Sequence, residues 1–129
     1  MRLFFGLEAE PATALEIAGW RGREMACDGR PVPVANLHIT LAFVGELAQP
    51  AIEQLCLSVD DWHADTSLPG GMLTLDQTGY WHKPGILWVG PSRWPDQLDR
   101  LAAKLRSLSS AAGARRDRNP FQPHITLFR

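Results

Sequence analysis

The tetrapeptide His-Ile-Thr-Leu occurs twice in this chain, as His38-Ile39-Thr40-Leu41 and again as His124-Ile125-Thr126-Leu127. Each copy follows a turn signal and combines β-branched residues with leucine, so each reads as a strand. Side chains two apart in a strand point the same way. His38 and Thr40 therefore share one face, with Ile39 and Leu41 on the other, and His124 and Thr126 repeat the arrangement. A fold for this chain must pack two such apolar faces while leaving two imidazoles and two hydroxyls accessible. Lining one cleft, those four groups supply two proton carriers and two neutral hydrogen-bond donors, equipment that suits hydrolysis of a phosphodiester.

The surroundings of the two copies repeat as well. Residues 2–8 read as an opening strand, and Pro11 suits the first turn of a helix with Ala14, Ile17, Ala18 and Arg21 on one side. A turn-rich break at residues 28–33 leads to the first motif strand, 36–44, with Leu37, Ile39, Leu41 and Phe43 as its packed face. Pro50 opens a second helix, where Ile52, Leu55, Cys56 and Val59 form an amphipathic stripe. Residues 72–79 and 86–90 read as neighbouring strands, joined through the loop Tyr80-Trp81-His82-Lys83-Pro84-Gly85. Pro95 and Asp96 start a third helix with Leu98, Leu101, Ala102, Leu105 and Leu108 along one side, stopped by Gly113. A polar loop to Pro123 feeds the last strand, 124–128. Strand–helix–strand-with-motif thus appears twice, an internal duplication. It predicts a mixed α+β fold of two pseudo-symmetric lobes whose motifs face across a central groove. No Rossmann or P-loop fingerprint is present.

Bulk properties narrow the partners. The 129 residues suffice for one domain with a real core and no disulfides. A net charge of −1 gives no global positive field to attract nucleic acid, so an RNA would have to be gripped locally, by its end. The one dense basic run, Arg115-Arg116-Asp117-Arg118, reads equally well as a solvated loop or as a phosphate-steering patch. Cys27 and Cys56 are far apart and outside any CxxC pattern; Cys56 falls on the apolar helical stripe and reads as a reduced core thiol. No apolar run approaches the ~20 residues of a membrane span and no signal peptide stands out, so a soluble, cytoplasmic protein is expected.

Opening a 2′,3′-cyclic phosphate needs a base to deprotonate the attacking water and an acid to protonate the departing ribose oxygen. Histidine serves both roles at neutral pH, since its unperturbed pKa is about 6.5. Two histidines on opposite sides of the phosphorus can hold complementary protonation states. The hydroxyls of Thr40 and Thr126 can donate to the nonbridging oxygens, where charge builds in the transition state. A metal site assembled from His38, His63, His82 and His124 is disfavoured, because the spacings match no ligand pattern and carboxylates are missing nearby. His63 reads as a helix-end residue. His82 lies with Tyr80 and Trp81 either at the border of the groove or at a solvent-facing hairpin tip.

Two His-x-Thr-x motifs in a small duplicated chain resemble the 2H phosphoesterase superfamily. The stretches Asn36-Leu-His-Ile-Thr-Leu-Ala-Phe-Val-Gly45 and Pro120-Phe-Gln-Pro-His-Ile-Thr-Leu-Phe-Arg129, with the opening Arg2-Leu-Phe-Phe5, are similar to its bacterial RNA 2′,3′-cyclic phosphodiesterase, or 2′-5′ RNA ligase-like, branch. The resemblance implies an antiparallel-rich sheet with outer helices. It implies RNA or nucleotide 2′,3′-cyclic phosphate as substrate, tRNA fragments included, with no cofactor and no metal. His38 would protonate the leaving 3′ oxygen and His124 would activate water, giving a 2′-phosphate. Thr40 and Thr126 would hold the phosphate, and Arg129 stands where the family carries a basic phosphate contact. Phe43 occupies the family's aromatic position, with core packing as its expected role. The same acid–base pair run in reverse would ligate a 5′-hydroxyl in a 2′-5′ bond. By the same resemblance, residues 1–129 form a single domain shortened at its C-terminus. An RNA-end binding protein without activity, and self-association through the exposed C-terminal edge, are the alternatives this leaves open.

Overall fold

A computed structural model describes residues 2–129; Met1, the first residue of the expected domain, lies outside the described residues. The strands are β1 (Leu3–Glu8), β2 (His38–Gly45), β3 (Gln77–Trp81), β4 (Ile86–Gly90) and β5 (Ile125–Phe128), and the helices are α1 (Pro11–Glu24), α2 (Gln49–Ala64) and α3 (Asp96–Ala111). All five strands join one sheet in the order β1-β2-β5-β4-β3, so the two motif strands are neighbours. The pairs β2·β5, β5·β4 and β4·β3 are antiparallel. A mixed α+β fold with an antiparallel-rich sheet is therefore observed, the first as the sequence pattern predicts and the second as the family resemblance implies. The repeat of strand, helix and motif strand survives as β1-α1-β2 and β4-α3-β5.

Two compact units are distinguished along this frame. The first comprises the chain up to Phe5, Leu41–Met72 and Trp94–Gln122. Its core gathers Val44, Leu55 and Ala114, with Leu3, Phe5, Leu47, Val59, Leu108 and Ala112 packed around them. Helix α3 begins with Asp96 and Asp99, whose carboxylates suit the positive end of a helix, and Trp94 Nε1 donates to Asp99 Oδ1 at 2.8 Å. It ends at Gly113, which adopts φ +107° and donates its N–H to the Ser110 carbonyl at 3.0 Å. The loop that follows is held by Arg106. Its guanidinium donates to the Asn119 carbonyl at 2.8 Å, pairs with Asp117 at 3.5 Å and lies over the Phe121 ring at 5.8 Å.

The second unit comprises Gly6–Thr40, Leu73–Arg93 and Pro123–Arg129, and holds both His-x-Thr pairs. On α1 the buried side chains are Ala14, Ile17 and Arg21, the stripe read from the sequence without Ala18, which is half-buried. Buried Arg21 has its Nη1 donors satisfied by the carbonyls of Val32 at 2.8 Å and Leu127 at 3.1 Å. Its guanidinium also lies over the Phe128 ring, 5.6 Å from the centroid. The residues around Val32 are thereby fastened to the second motif strand.

Four expectations need correction. Phe43 is 53% exposed, whereas Ala42 and Val44 are buried. Apolar partners lie on one face of β2 as far as Leu41 and on the other from Ala42 onward, where Val44 joins the Leu55 core, so a single-face reading fails at that switch. Cys56 is exposed rather than a core thiol. On α2 only Leu55 is buried, with Ile52, Val59 and Trp62 half-buried along the same side, and Cys56 falls beyond that stripe. The strand expected at 72–79 begins at Gln77 and runs on through Tyr80 and Trp81, which are ladder residues and not loop. Finally, Asn36 closes a 3-10 turn, Val34–Asn36, instead of opening the motif strand.

Candidate active site

The antiparallel pair Ile39↔Ile125 fixes the geometry of the motifs. Continued by one residue in each direction, that register sets His38 across from Thr126 and Thr40 across from His124, all four on the face opposite the buried Ile39 and Ile125. Side chains directly opposite begin about 5 Å apart and diagonal ones about 7–8 Å. The two histidines occupy one diagonal of this square and the two threonines the other, a spacing that one phosphate can span. All four side chains are half-buried, reachable yet held.

His38 is oriented from two sides. Its Nδ1–H donates to the Asn36 carbonyl at 2.6 Å, and its Nε2 lies 3.1 Å from Thr40 Oγ1. A carbonyl only accepts, so Nδ1 must carry a proton and Nε2 is the nitrogen left to exchange one. In the neutral ring, the Thr40 hydroxyl donates to Nε2; in the imidazolium, Nε2–H donates and the Thr40 oxygen accepts. The 3-10 turn makes this arrangement. The Asn36 N–H donates to the Pro33 carbonyl at 2.8 Å, and the turn presents the Asn36 carbonyl back toward the first strand residue.

His124 sits in an aromatic corner. Its ring meets Trp81 edge-to-face at 4.6 Å and 80°, and Trp88 stands 6.1 Å away at 64°. Trp81 and Trp88 contact each other at 5.0 Å with a 36° tilt. Register explains the cluster. Trp88 pairs with Thr126 on one side and with Gly79 on the other, and Trp81 lies two residues from Gly79, so all these positions share the histidine face. Gly79 is needed there, because an added Cβ would stand 2.4 Å from the Trp88 indole. Gly90 is needed beside His124, where a Cβ would stand 2.7 Å from the Pro123 carbonyl oxygen and 3.4 Å from the His124 Cα. The indole Nε1–H of Trp88 is buried without an acceptor.

The register between β4 and β5 shifts by one residue, from Trp88↔Thr126 to Leu87↔Phe128. Leu127 is the extra residue. The shift moves Phe128 onto the face of Leu87 and thereby turns Arg129 back to the histidine face. Arg129 and Arg30 form a two-bond backbone pair, Arg30 N–H to the Arg129 carbonyl at 2.8 Å and Arg129 N–H to the Arg30 carbonyl at 2.9 Å. Two guanidinium side chains therefore start from directly opposite positions, and both are exposed.

Of the sequence-predicted residues, His38, Thr40, His124 and Thr126 come together, and Arg129 shares their face. His63 lies in the last turn of α2, in the other unit, and His82 is exposed in the turn after β3, edge-on to Tyr80 at 4.9 Å. Among the described residues no three His, Cys, Asp or Glu side chains group as metal ligands would. None of the helices is long and apolar enough to cross a membrane, among the described residues. The Asn36 carbonyl, Arg30 and the Trp81–Trp88 corner escape a motif reading. Asn36 acts through its backbone and the others through non-local pairing; only the Trp81 side of the aromatic loop carried any signal.

Comparison with known proteins fits this geometry. A family model described as the 2'-5' RNA ligase superfamily matches residues 9–129. The RNA 2',3'-cyclic phosphodiesterase of Escherichia coli (strain K12) is 37% identical over 129 residues, which cover 99% of this chain and 71% of that protein. The crystal structure of E. coli LigT complexed with 3'-AMP superposes with a TM-score of 0.90 at 37% identity, over 99% of this chain and 72% of that one. A crystal structure of a Thermus thermophilus protein superposes with a TM-score of 0.80 at 27% identity, over 100% of this chain and 74% of that one.

Proposed function

This chain belongs to the 2'-5' RNA ligase superfamily, and from that premise we propose that it hydrolyses 2′,3′-cyclic phosphate ends of RNA or nucleotides to 2′-phosphates. The observation that carries the reading is the diagonal placement of His38 and His124 on one sheet face, each with a threonine directly across the strand pair. The E. coli relative named RNA 2',3'-cyclic phosphodiesterase supports the substrate class.

In this reading the phosphate sits over the square with its nonbridging oxygens toward the Thr40 and Thr126 hydroxyls. His124 takes a proton from water as the water oxygen attacks phosphorus. The bond from phosphorus to the 3′ oxygen breaks, and Nε2–H of the His38 imidazolium protonates the departing oxygen. The 2′ ester is left intact. Nδ1–H of His38 stays on the Asn36 carbonyl throughout, so the proton moves only at Nε2. Arg129, exposed at the end of the same strand, supplies positive charge toward the phosphate. In this reading the protein acts in the cytoplasm and needs no metal cofactor.

The test is direct. Purified protein incubated with nucleoside 2′,3′-cyclic phosphates in excess EDTA should release the 2′-monophosphate, identified by phosphorus NMR. Release of the 3′-monophosphate, or activity that appears only on adding zinc or manganese, would contradict the mechanism.

A further inference from the structure

We infer that Arg21 is a positioning residue for the phosphate site, clamping the bulge in β5 so that Arg129 emerges on the histidine face; this rests on the function proposed above. A regular strand alternates its faces. With Ile125 and Leu127 on the buried side, plain alternation would send Phe128 to the histidine side and Arg129 into the core. Instead Leu127 and Phe128 are both buried, at 0% and 8% exposure, because Leu127 is the extra residue of the bulge. Arg129 is exposed as a result. The carbonyl at the bulge accepts twice, from the Val32 N–H at 2.9 Å and from Arg21 Nη1 at 3.1 Å. The same Nη1 donates to the Val32 carbonyl at 2.8 Å, so one nitrogen ties the two segments together where the bulge interrupts the ladder. Beyond this tie the segments run on through the Pro31↔Phe128 bridge to the two-bond pair of Arg30 with Arg129. The guanidinium also lies 5.6 Å over the ring of Phe128, the residue that the bulge redirects.

Two features set this clamp apart from ordinary packing. Buried ionic groups can often be replaced by apolar side chains of similar volume without loss of stability, so the use of arginine here points to a need for one register. The clamp also acts only past the motif. The pairs that set His124 and Thr126, namely Ile39↔Ile125, Val89↔Ile125 and Trp88↔Thr126, all precede the bulge. Loss of Arg21 therefore frees the end of β5 while the ladder keeps the histidines and threonines in place. A slip that undoes the bulge exchanges the directions of Phe128 and Arg129 and withdraws positive charge from the phosphate.

A double-mutant cycle tests the link between the two arginines. Binding of adenosine 2′-monophosphate is measured by calorimetry on the unsubstituted protein, Arg21→Met, Arg129→Gln and the double variant. For the same proteins kcat and KM are measured across pH with adenosine 2′,3′-cyclic phosphate. Each single substitution should weaken nucleotide binding about tenfold or more, the worth of one charged hydrogen bond. The double variant should bind within about twofold of the weaker single one. KM should rise in parallel, while kcat keeps both limbs of its pH profile. Ile17→Ala, on the same buried side of α1, is the packing control; it should lower the urea midpoint and leave affinity unchanged. If Arg21→Met does not fold, the neutral and shorter Arg21→Gln takes its place and is read by the same rule. Losses that multiply in the double variant would overturn the inference. So would an Arg129→Gln variant that binds like the unsubstituted protein, or an Ile17→Ala variant that loses as much affinity as Arg21→Met. If no protein turns over the cyclic nucleotide but the binding losses fail to multiply, the positioning role stands and the hydrolytic reading falls. If turnover is present and the losses multiply, the hydrolytic reading stands and the positioning role falls.

Discussion

In the proposed reaction each histidine has a distinct proton to move, and the two differ in how they are held. His38 is fixed by hydrogen bonds to the Asn36 carbonyl and Thr40, whereas His124 is walled by tryptophan rings. Replacing either by alanine should lower kcat by roughly two to four orders of magnitude, the usual worth of a placed acid or base. The unsubstituted enzyme should show a bell-shaped rate profile with pH, and each histidine variant should lose one limb of it. A variant that keeps both limbs would remove that histidine from the proton path. Thr40→Ala and Thr126→Ala should cost less, roughly one to three orders, as for loss of one oxyanion donor. Thr40 should show the larger pH effect, since its hydroxyl also touches His38 Nε2. At this scale the sequence showed which side chains share a face, because a two-residue period fixes that. It was silent on Asn36, which meets His38 through its backbone carbonyl.

At the scale of elements, the site depends on how closely β4 approaches the residue before β5. Gly90 lies across from His124, and a methyl group there would meet the Pro123 carbonyl, which is backbone and cannot rotate away. Gly90→Ala should therefore shift Pro123 and His124 together, costing about 1–3 kcal/mol of stability and lowering activity more than that loss of folded protein explains. Urea unfolding beside kcat measured on folded protein checks it; an unchanged kcat would show that His124 stays in place. Gly90 is itself fixed by the residue that precedes β3. Asp76 N–H donates to the Gly90 carbonyl at 3.1 Å, and the Asp76 carboxylate accepts from the Ser92 N–H at 2.7 Å and the Ser92 hydroxyl at 2.6 Å. Those Ser92 hydrogen bonds hold the carboxyl below the usual carboxylate range. A group whose folded pKa is depressed stabilises the fold above its unfolded pKa and loses that contribution as pH falls through the folded value. The gap in urea midpoint between the unsubstituted protein and Asp76→Asn should accordingly be present at neutral pH and shrink on acidification below about pH 4. A gap that widens with acid would reverse the sign and discard the clamp. Neither glycine contact was legible from the chain alone. Helix α3 was read correctly because its apolar period is local, whereas the start of β3 depends on pairing with β4, and its run through Tyr80 and Trp81 was hidden by the Lys83-Pro84-Gly85 turn signal.

Across the whole molecule, charge decides how an RNA is held. Thirteen Lys and Arg against fourteen Asp and Glu leave a net charge of −1, so long-range attraction to a polyanion is absent and grip must come from a few local groups. On the histidine face those groups are Arg129 and its opposite number Arg30. Like charges facing each other across a strand pair repel, and an anion between them relieves the repulsion. This arrangement predicts recognition of one or two phosphates at an RNA end rather than a tracked backbone. Each neutralised phosphate on a single strand contributes about −0.7 to the slope of log affinity against log salt. Measured between low and physiological salt, KM for a cyclic-ended oligonucleotide should follow a slope of about 0.7 to 1.4 in magnitude, little changed as the oligonucleotide is lengthened. Arg30→Gln should flatten that slope by roughly one phosphate's share while kcat for a cyclic mononucleotide is kept. A slope that steepens with every added nucleotide would mean that an extended basic track, such as Arg115-Arg116-Asp117-Arg118, carries the RNA instead.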